Sequence, residues 1–130
     1  MEALSGVTPT FDLSWEEITG GAGLPQSLDG EPGLYGIYAG DALVYVGSSR
    51  SLGRRIGQAV AAICGAPGLH PGGRRIFFEW DNLQKPLRFV VFVGEDARSR
   101  ERDAIILMRP KMNVIYNRDG RNIPDLDFVD

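Results

Sequence analysis

Two short runs of β-forming residues, separated by a two-residue turn, constrain the fold of this chain more than any other feature. The runs Leu34–Ala39 and Ala42–Val46 are rich in aromatic and β-branched side chains, and Gly40-Asp41 lies between them. Glycine next to aspartate between two such runs is typical of a β-hairpin turn. The sequence therefore predicts an antiparallel hairpin as the first part of a small sheet.

A helix is predicted directly after the hairpin. Ser51 is a suitable N-cap residue, and Gly65 is a suitable stop for a helix from Leu52 to about Ile63 or Cys64. Its apolar side chains recur at helical spacing, which predicts one buried face. The members of this face are Leu52, Ile56, Ala59, Val60 and Ile63.

The next part of the chain alternates between loop, strand and helix patterns. Ala66–Gly73 is predicted as a Pro/Gly loop, Arg75–Trp80 as a strand or extended segment, and Leu87–Val93 as a buried strand. Ala97–Arg109 is predicted as a helix that ends at Pro110, because proline cannot continue a helix.

Together these elements predict an α/β fold with a small, mostly antiparallel three-stranded sheet flanked by helices. The sheet would consist of the N-terminal hairpin and one later strand. Residues 1–30 are predicted as an acidic lead-in with one short helix, which starts in the capping-box pattern Ser14-Trp15-Glu16-Glu17 and ends at Gly20-Gly21. Residues 31–130 then form the single domain expected of a chain of 130 residues.

Charge is distributed unevenly along the chain. The net charge of −3 by itself argues mildly against a nucleic-acid partner. Residues 1–41 contain seven acidic and no basic residues, whereas residues 42–122 contain all fourteen basic residues and seven acidic ones, a net charge of +7. Twelve of the fourteen are arginine, the better bidentate partner for phosphate. A basic middle segment can present a positive face to phosphates, but a GC-rich genome produces the same arginine excess.

Several sequence features bear on the cellular location. Cys64 is the only cysteine, so the sequence offers no disulfide framework and no thiolate metal site. The first residues lack the basic and apolar regions of a signal peptide, and the longest apolar runs are far shorter than a membrane span. We therefore expect a soluble, cytoplasmic protein without a membrane partner, although a secreted chain without disulfides would look the same.

Glu101 has an unusual position within the predicted helix Ala97–Arg109. The residues three, four and seven positions after it are Ala104, Ile105 and Met108, which form the apolar stripe of that helix. A carboxylate at the start of a buried stripe needs a cation or a hydrogen-bond donor, because an unpaired buried charge is costly. Two interpretations stay open: a metal ligand, or a first-turn glutamate that complements the helix dipole or pairs with an arginine.

The hairpin carries two tripeptides, Gly33-Leu34-Tyr35 and Tyr45-Val46-Gly47, with nine residues between the two tyrosines. Leu52 and Arg55 follow in the next helix, and Glu101 is followed twelve residues later by the asparagine of Pro110-Lys111-Met112-Asn113. These features, in this order and at these spacings, resemble the GIY-YIG nuclease superfamily over roughly residues 32–117.

The literal string Gly36-Ile37-Tyr38 does not fit the same pattern. It leaves only six residues before Tyr45, too few for the spacing of the family. Side chains alternate between the two faces of a strand, so Tyr35 and Tyr38 point in opposite directions and only one of them can belong to the site. We predict that this residue is Tyr35.

The resemblance implies a metal-dependent endonuclease that hydrolyses phosphodiester bonds in nucleic acid, and DNA is the expected substrate. Glu101 would hold a single Mg²⁺ or Mn²⁺ ion, which would neutralise the leaving 3′ oxygen. Arg55 would hold the scissile phosphate and stabilise the charge that develops in the transition state. Tyr35 and Tyr45 would flank the attacked phosphorus, and in this family one of the tyrosines is proposed to activate the attacking water. The expected structural residues are Gly33, Gly47 and Asn113.

Two positions depart from the family pattern. Ser48 replaces a lysine or other polar residue found in many relatives, and Ala59 is found one helical turn after the arginine, where relatives often have tyrosine or histidine. We predict that His70 reaches back into the cleft and replaces this helper; a histidine on a surface loop is the alternative interpretation. The residues expected to contact the substrate are Ser48, Arg50, Arg54, Arg74 and Arg75.

Two other functions remain open at this point. Ser48 and Ala59 are compatible with a catalytically weakened module that binds nucleic acid on the same fold, whereas the retained tyrosines, arginine and glutamate favour the enzyme. A protein-interaction role for acidic residues 1–30, or the shielding of a positive cleft by them, is the third hypothesis. Since the resemblance covers one catalytic domain, we expect either weak selectivity or target choice supplied by a homo-oligomer or a partner protein.

Overall fold

A four-stranded antiparallel sheet organises the chain in the computed structural model, which describes residues 9–20, 23–66, 70–83, 86–96, 100–103 and 105. The strands are β1 (Phe11–Ser14), β2 (Gly33–Ala39), β3 (Ala42–Ser49) and β4 (Leu87–Val93), and their order in the sheet is β1-β4-β2-β3. The helices are α1 (Trp15–Thr19), α2 (Leu52–Ile63) and α3 (Pro71–Leu83), with a 3₁₀ turn at Gln26–Leu28. Residues 100–103 and 105 are also helical. The predicted α/β class and antiparallel sheet are confirmed.

The predicted number of three strands was wrong, because β1 adds a fourth strand at one edge of the sheet. β1 pairs with β4 over all four of its residues, and Phe11 lies opposite Val91. The backbone N–H of Thr10 continues the ladder by donating to the carbonyl of Val91 over 2.7 Å. A strand of four residues gives too short an alternation to be recognised from sequence, and its pairing partner lies about 80 residues away along the chain.

Residues 9–20 and 23–30, within the predicted lead-in, belong to the core of this sheet. Leu13, Ile18 and Leu28 are buried and lie in the same hydrophobic cluster as the sheet and α2. The predicted capping box is confirmed: the Glu17 backbone N–H donates to Ser14 Oγ over 3.1 Å, and the Ser14 backbone N–H donates to Glu17 Oε1 over 3.0 Å. These residues thus form part of the folded unit.

The predicted hairpin and the helix after it are confirmed. β2 and β3 are joined by Gly40 and Asp41, and Gly40 has a φ of 60°, a left-handed conformation that glycine adopts without strain. α2 begins at Leu52 and ends at Ile63, and its buried side chains include most of the predicted apolar face. Ser51 occupies the N-cap position, but its side chain makes no capping hydrogen bond.

The prediction of a loop up to Gly73 followed by an extended segment at Arg75–Trp80 was wrong, because these residues belong to α3. Pro71 is the first residue of this helix, where the missing N–H of proline costs nothing and its fixed φ is favourable. His70 precedes it as the N-cap: its Nδ1 accepts from the Gly73 backbone N–H over 2.8 Å. A proline at the first helical position was therefore the sequence signal that could have indicated α3.

The two faces of the sheet carry different residues. Tyr35, Ile37 and Phe89 point to the face covered by α2 and α3, and all three belong to the main hydrophobic cluster. Leu34 and Phe92 point to the opposite face, where they lie opposite each other on β2 and β4. The guanidinium of Arg100 lies 5.4 Å from the centre of the Phe92 ring, so the helical residues at 100–105 begin beside this second face.

Other sequence predictions fall partly or wholly beyond the described residues. Of the predicted helix at 97–109, residues 100–103 and 105 are described and helical. Pro110 and Asn113 lie outside the described residues. In the part of the chain that the structure describes, every helix falls short of the length and apolar character that crossing a membrane requires.

We expect Leu13→Ala to lower the free energy of unfolding by about 2–3 kcal/mol, because it removes a buried side chain and leaves a cavity under β1. Asp12→Ala is the matched control, since the neighbouring carboxylate points to the opposite face and pairs with Arg88 in an exposed ion pair worth at most about 1 kcal/mol. Urea unfolding measures both values. Equal losses in the two variants would show that β1 is not docked on the sheet.

Candidate active site

A buried hydrogen bond between Tyr35 and His70 forms the centre of a polar cluster on the face of the sheet covered by α2 and α3. The Tyr35 hydroxyl lies 2.6 Å from His70 Nε2, and both residues are 0% exposed. The Tyr45 ring completes the cluster, with its centre 6.1 Å from that of Tyr35 and 5.2 Å from that of His70. The structure thus brings three predicted catalytic residues together, and His70 is not the surface loop residue of the alternative interpretation.

Hydrogen bonds determine the protonation state of the His70 ring. Because Nδ1 accepts from the Gly73 backbone N–H, it carries no proton. Burial, followed by the positive charge of Arg55, lowers the pKa of His70 to about 3. The ring is therefore neutral at neutral pH, and its one proton lies on Nε2, from which it is donated to the Tyr35 oxygen.

Two glycines leave room for the tyrosine rings. A Cβ atom added at Gly47 would lie 2.5 Å from both Cζ and the hydroxyl oxygen of Tyr35, and one added at Gly72 would overlap the ring of Tyr45. Gly33, the other predicted structural glycine, packs in the same way against the Phe92 carbonyl. The packing of the two tyrosine rings therefore requires residues without a side chain at Gly47 in β3 and at Gly72 in the first turn of α3.

Arg55 is the buried cation of this region. It lies on α2 with an exposure of 1%, and its Nη1 donates to Gln58 Oε1 over 2.8 Å. Its charge acts on His70, because it is the second cause of the lowered pKa of that ring. Arg54, the next residue along the chain, is exposed. Gln58 was not among the predicted residues, although its position three residues after Arg55 on the same helix was a usable signal.

Glu101 is buried, as the periodicity of its helix predicted. Its exposure is 1%, and Ile105, one turn later, is 0% exposed. The guanidinium of the preceding residue, Arg100, lies beside the Phe92 ring on the second face of the sheet.

A single buried carboxylate is a limited metal site. Among the described residues, His, Cys, Asp and Glu side chains form no group of three or more that could hold a metal ion. Mg²⁺ often binds to one or two carboxylates and keeps several of its water ligands. Glu101 alone could therefore hold a hydrated Mg²⁺ ion, but it could not hold an ion that needs only protein ligands.

Two of the predicted substrate contacts have other positions in the structure. Ser48 lies opposite Leu34 in the β2–β3 ladder, so it points to the face away from Tyr35, and it is buried. Arg74 donates from Nη1 to the carbonyl of Gly65 over 2.7 Å and lies on the outer side of α3. The structure does not bring either side chain to the Tyr35 cluster.

The remaining predicted residues lie nearer the surface. Arg50 is exposed at the end of β3, and Arg75 is half-buried on α3, where its charge contributes to the lowered pKa of His70. The rejected tyrosine, Tyr38, lies on the second face, where burial raises its pKa and the guanidinium of Arg88 lies 5.0 Å from its ring centre. Tyr35 and Tyr38 are thus on opposite faces, as the strand alternation predicted.

Comparisons of the chain with protein families, with curated proteins and with solved structures found no match. Assignment of a function therefore depends on the arrangement of the residues described above.

The neutral state of His70 predicts an acid-sensitive fold. Since the folded pKa is about 3 and the unfolded pKa about 6.5, the unfolded chain binds a proton between these values and the folded chain does not. Stability is then complete above pH 6.5 and falls as the pH is lowered, by at most about 1.4 kcal/mol per pH unit. His70→Asn removes this titration and keeps a good N-cap residue. Urea unfolding at pH 7.0 and 5.5 should show a steeper loss in the wild type; parallel losses would contradict the buried neutral ring.

Gly47→Ala should displace the Tyr35 ring and lower the free energy of unfolding by about 1–3 kcal/mol, because the new methyl group overlaps a packed ring. The matched control is Gly57→Ala on α2, where a Cβ atom meets nothing within 4 Å. That change should stabilise the protein by about 0.5–1 kcal/mol, since alanine is the better helix former. Thermal unfolding of both variants measures the contrast, and a stabilising Gly47→Ala would exclude the close approach of Tyr35.

Proposed function

We propose that this protein is a metal-dependent endonuclease of the GIY-YIG type, which hydrolyses phosphodiester bonds in nucleic acid, with DNA as the expected substrate, and uses one Mg²⁺ or Mn²⁺ ion. The Tyr35–His70 hydrogen bond carries the proposal. A buried phenol, held by a neutral imidazole N–H within the field of a buried arginine, is an arrangement suited to proton transfer at a phosphate. It also joins Tyr35, which the spacing of the motifs selected, to His70, which was predicted to replace the helper missing at Ala59.

Tyr35 is the residue that would take a proton from the attacking water. A phenol does so only in its anionic form, which is rare near neutral pH without stabilisation. The Nε2–H of His70 donates to the Tyr35 oxygen and so favours the negative charge there. His70 itself is not the base in this state, because its Nδ1 is occupied by the Gly73 N–H. Its role is to support Tyr35.

Arg55 and Tyr45 supply the other contributions of the cluster. A buried guanidinium attracts the phosphate and stabilises the charge that develops on its oxygens, because electrostatic interactions are strong where water is excluded. The Tyr45 ring packs edge-on against His70 and against Gly72, which keeps the imidazole in place. Glu101 would hold the metal ion, which supplies neutralisation of the leaving 3′ oxygen when bound.

The second candidate is a module that binds nucleic acid on the same fold without cutting it. The observation in its favour is the position of Arg100, the residue before Glu101, whose guanidinium lies beside the second face of the sheet. The two candidates differ in metal binding. For the enzyme, Glu101→Gln should weaken the binding of Mn²⁺ measured by electron paramagnetic resonance, whereas for the module this substitution should leave Mn²⁺ binding unchanged.

We expect the purified protein to nick supercoiled plasmid in Mg²⁺ or Mn²⁺ and to stop in EDTA. Tyr35→Phe, Arg55→Lys and Glu101→Gln should each lower the rate by about 10²–10³-fold, because each removes one group that acts in the transition state. One matched control keeps the wild-type rate within a few-fold. Tyr38→Phe makes the same chemical change as Tyr35→Phe, but on the opposite face of β2.

The proposal fails if wild-type protein leaves the plasmid intact in every divalent metal. It fails equally if Tyr35→Phe and Tyr38→Phe lower the rate by the same factor, since the Tyr35 face would then have no special role.

A further inference from the structure

Arg74, Phe77 and Phe78 form a stripe on the outer side of α3, which we call the α3 stripe. They are separated by three and four residues and therefore lie on one side of the helix. Phe78 is 68% exposed and Phe77 is 39% exposed, and together with Val93 they are the exposed large apolar residues among those whose side-chain burial is described. Adjacent exposed rings form a patch, and contiguous apolar patches mark binding sites more often than single exposed residues do.

The stripe combines two aromatic rings with a cation. The Arg74 guanidinium carbon lies 5.1 Å from the centre of the Phe77 ring and 4.8 Å from that of Phe78. The two rings are 5.2 Å apart and meet edge to face. Arg74 also donates to the carbonyl of Gly65, so it has a structural role at the end of α2. These contacts explain the position of the Arg74 side chain and of the part of Phe77 that faces it. They do not explain why the Phe78 ring is exposed.

The α3 stripe lies on the same helix as the candidate active site. His70 is the N-cap of α3, and Arg74 and Phe78 follow it by four and eight residues. A helix rises about 1.5 Å per residue, so these side chains lie roughly 6 and 12 Å further along its axis. A stacked nucleic-acid strand advances about 3.4 Å per nucleotide. Along the axis of α3, the separation between His70 and the α3 stripe therefore corresponds to the length of a few stacked nucleotides.

We propose that the α3 stripe binds an unpaired nucleobase close to the phosphate that is cut, with the base stacked on Phe78 and the strand attracted by Arg74. This inference rests on the proposed function and specifies its substrate as nucleic acid that is single-stranded or locally unpaired. Aromatic rings beside arginine are a stacking platform for bases, whose flat faces are covered by partners in a duplex. A nucleic-acid strand uses both components of the stripe, because its base stacks on an aromatic ring and its phosphates are attracted by the guanidinium.

A short oligonucleotide that carries the fluorescent base 2-aminopurine tests this inference directly. Binding is measured in EDTA, so that no strand is cut, with a single-stranded oligonucleotide and a duplex of the same sequence. Wild-type protein should quench the fluorescence of the single strand and bind it more tightly than the duplex. Phe78→Ala should remove the quenching and weaken single-strand binding roughly ten-fold. Phe78→Trp should retain both, because a larger aromatic ring still stacks.

Val93→Ala is the matched control, since it truncates an exposed apolar residue on β4, away from α3. It should leave quenching and affinity unchanged. The stripe proposal is overturned if Phe78→Ala binds like the wild type, or if an abasic oligonucleotide binds as well as the intact one. It is also overturned if Phe78→Ala abolishes a concentration-dependent self-association seen by sedimentation, because the stripe is then a protein interface.

Failure of this inference is distinguishable from failure of the nuclease proposal. If the stripe binds bases but the protein is not a nuclease, quenching depends on Phe78 while plasmid stays intact in every metal. If the protein is a nuclease whose α3 stripe binds no base, Tyr35→Phe lowers the cleavage rate. The Phe78→Ala variant then cuts single-stranded and duplex substrates at wild-type rates. Phe78 is largely exposed, so its alanine variant is expected to fold, and thermal unfolding verifies this.

Discussion

The hydrogen bond between Tyr35 and His70 connects the main parts of this molecule. It joins the sheet to the first residue before α3, and both of its partners are fully buried. A buried polar group without a partner costs about 1–3 kcal/mol, and this bond supplies a partner to His70 Nε2. The same imidazole accepts from the Gly73 N–H and thereby starts α3. The His70 ring thus caps α3 through Nδ1 and orients the Tyr35 hydroxyl through Nε2, and these two hydrogen bonds determine its tautomer.

The charges around this hydrogen bond favour the binding of an anion. Protonation of His70 would place a second positive charge near Arg55 in a region removed from water, which is why the imidazole stays neutral. The cluster then keeps the positive charge of arginine together with a donor aimed at the Tyr35 oxygen. In the proposed function, the fixed positive charge of the buried Arg55 stabilises the phosphate.

α3 relates the proposed chemistry to the proposed choice of substrate. Its first turn packs Gly72 against Tyr45 and provides the Gly73 N–H for His70, while its outer side carries the exposed Phe78. A rigid helix keeps the distance between the two regions constant. Under these two proposals, the helix that begins after the supporting residue His70 also carries the stripe that binds an unpaired base.

The sequence by itself determined the parts of the fold that repeat over short distances. The β2–β3 hairpin, the apolar face of α2, the burial of Glu101 and the opposite orientations of Tyr35 and Tyr38 all follow from periods of two or 3.6 residues. Only the tertiary structure decided what depends on contacts between distant residues. β1 is a strand because β4 provides its partner, Ser48 faces away from the site because of its register, and His70 is buried because α3 packs on α2 beside Tyr35. Local pattern carries no information about which distant segment supplies such a partner, so these features become visible only once the chain is folded.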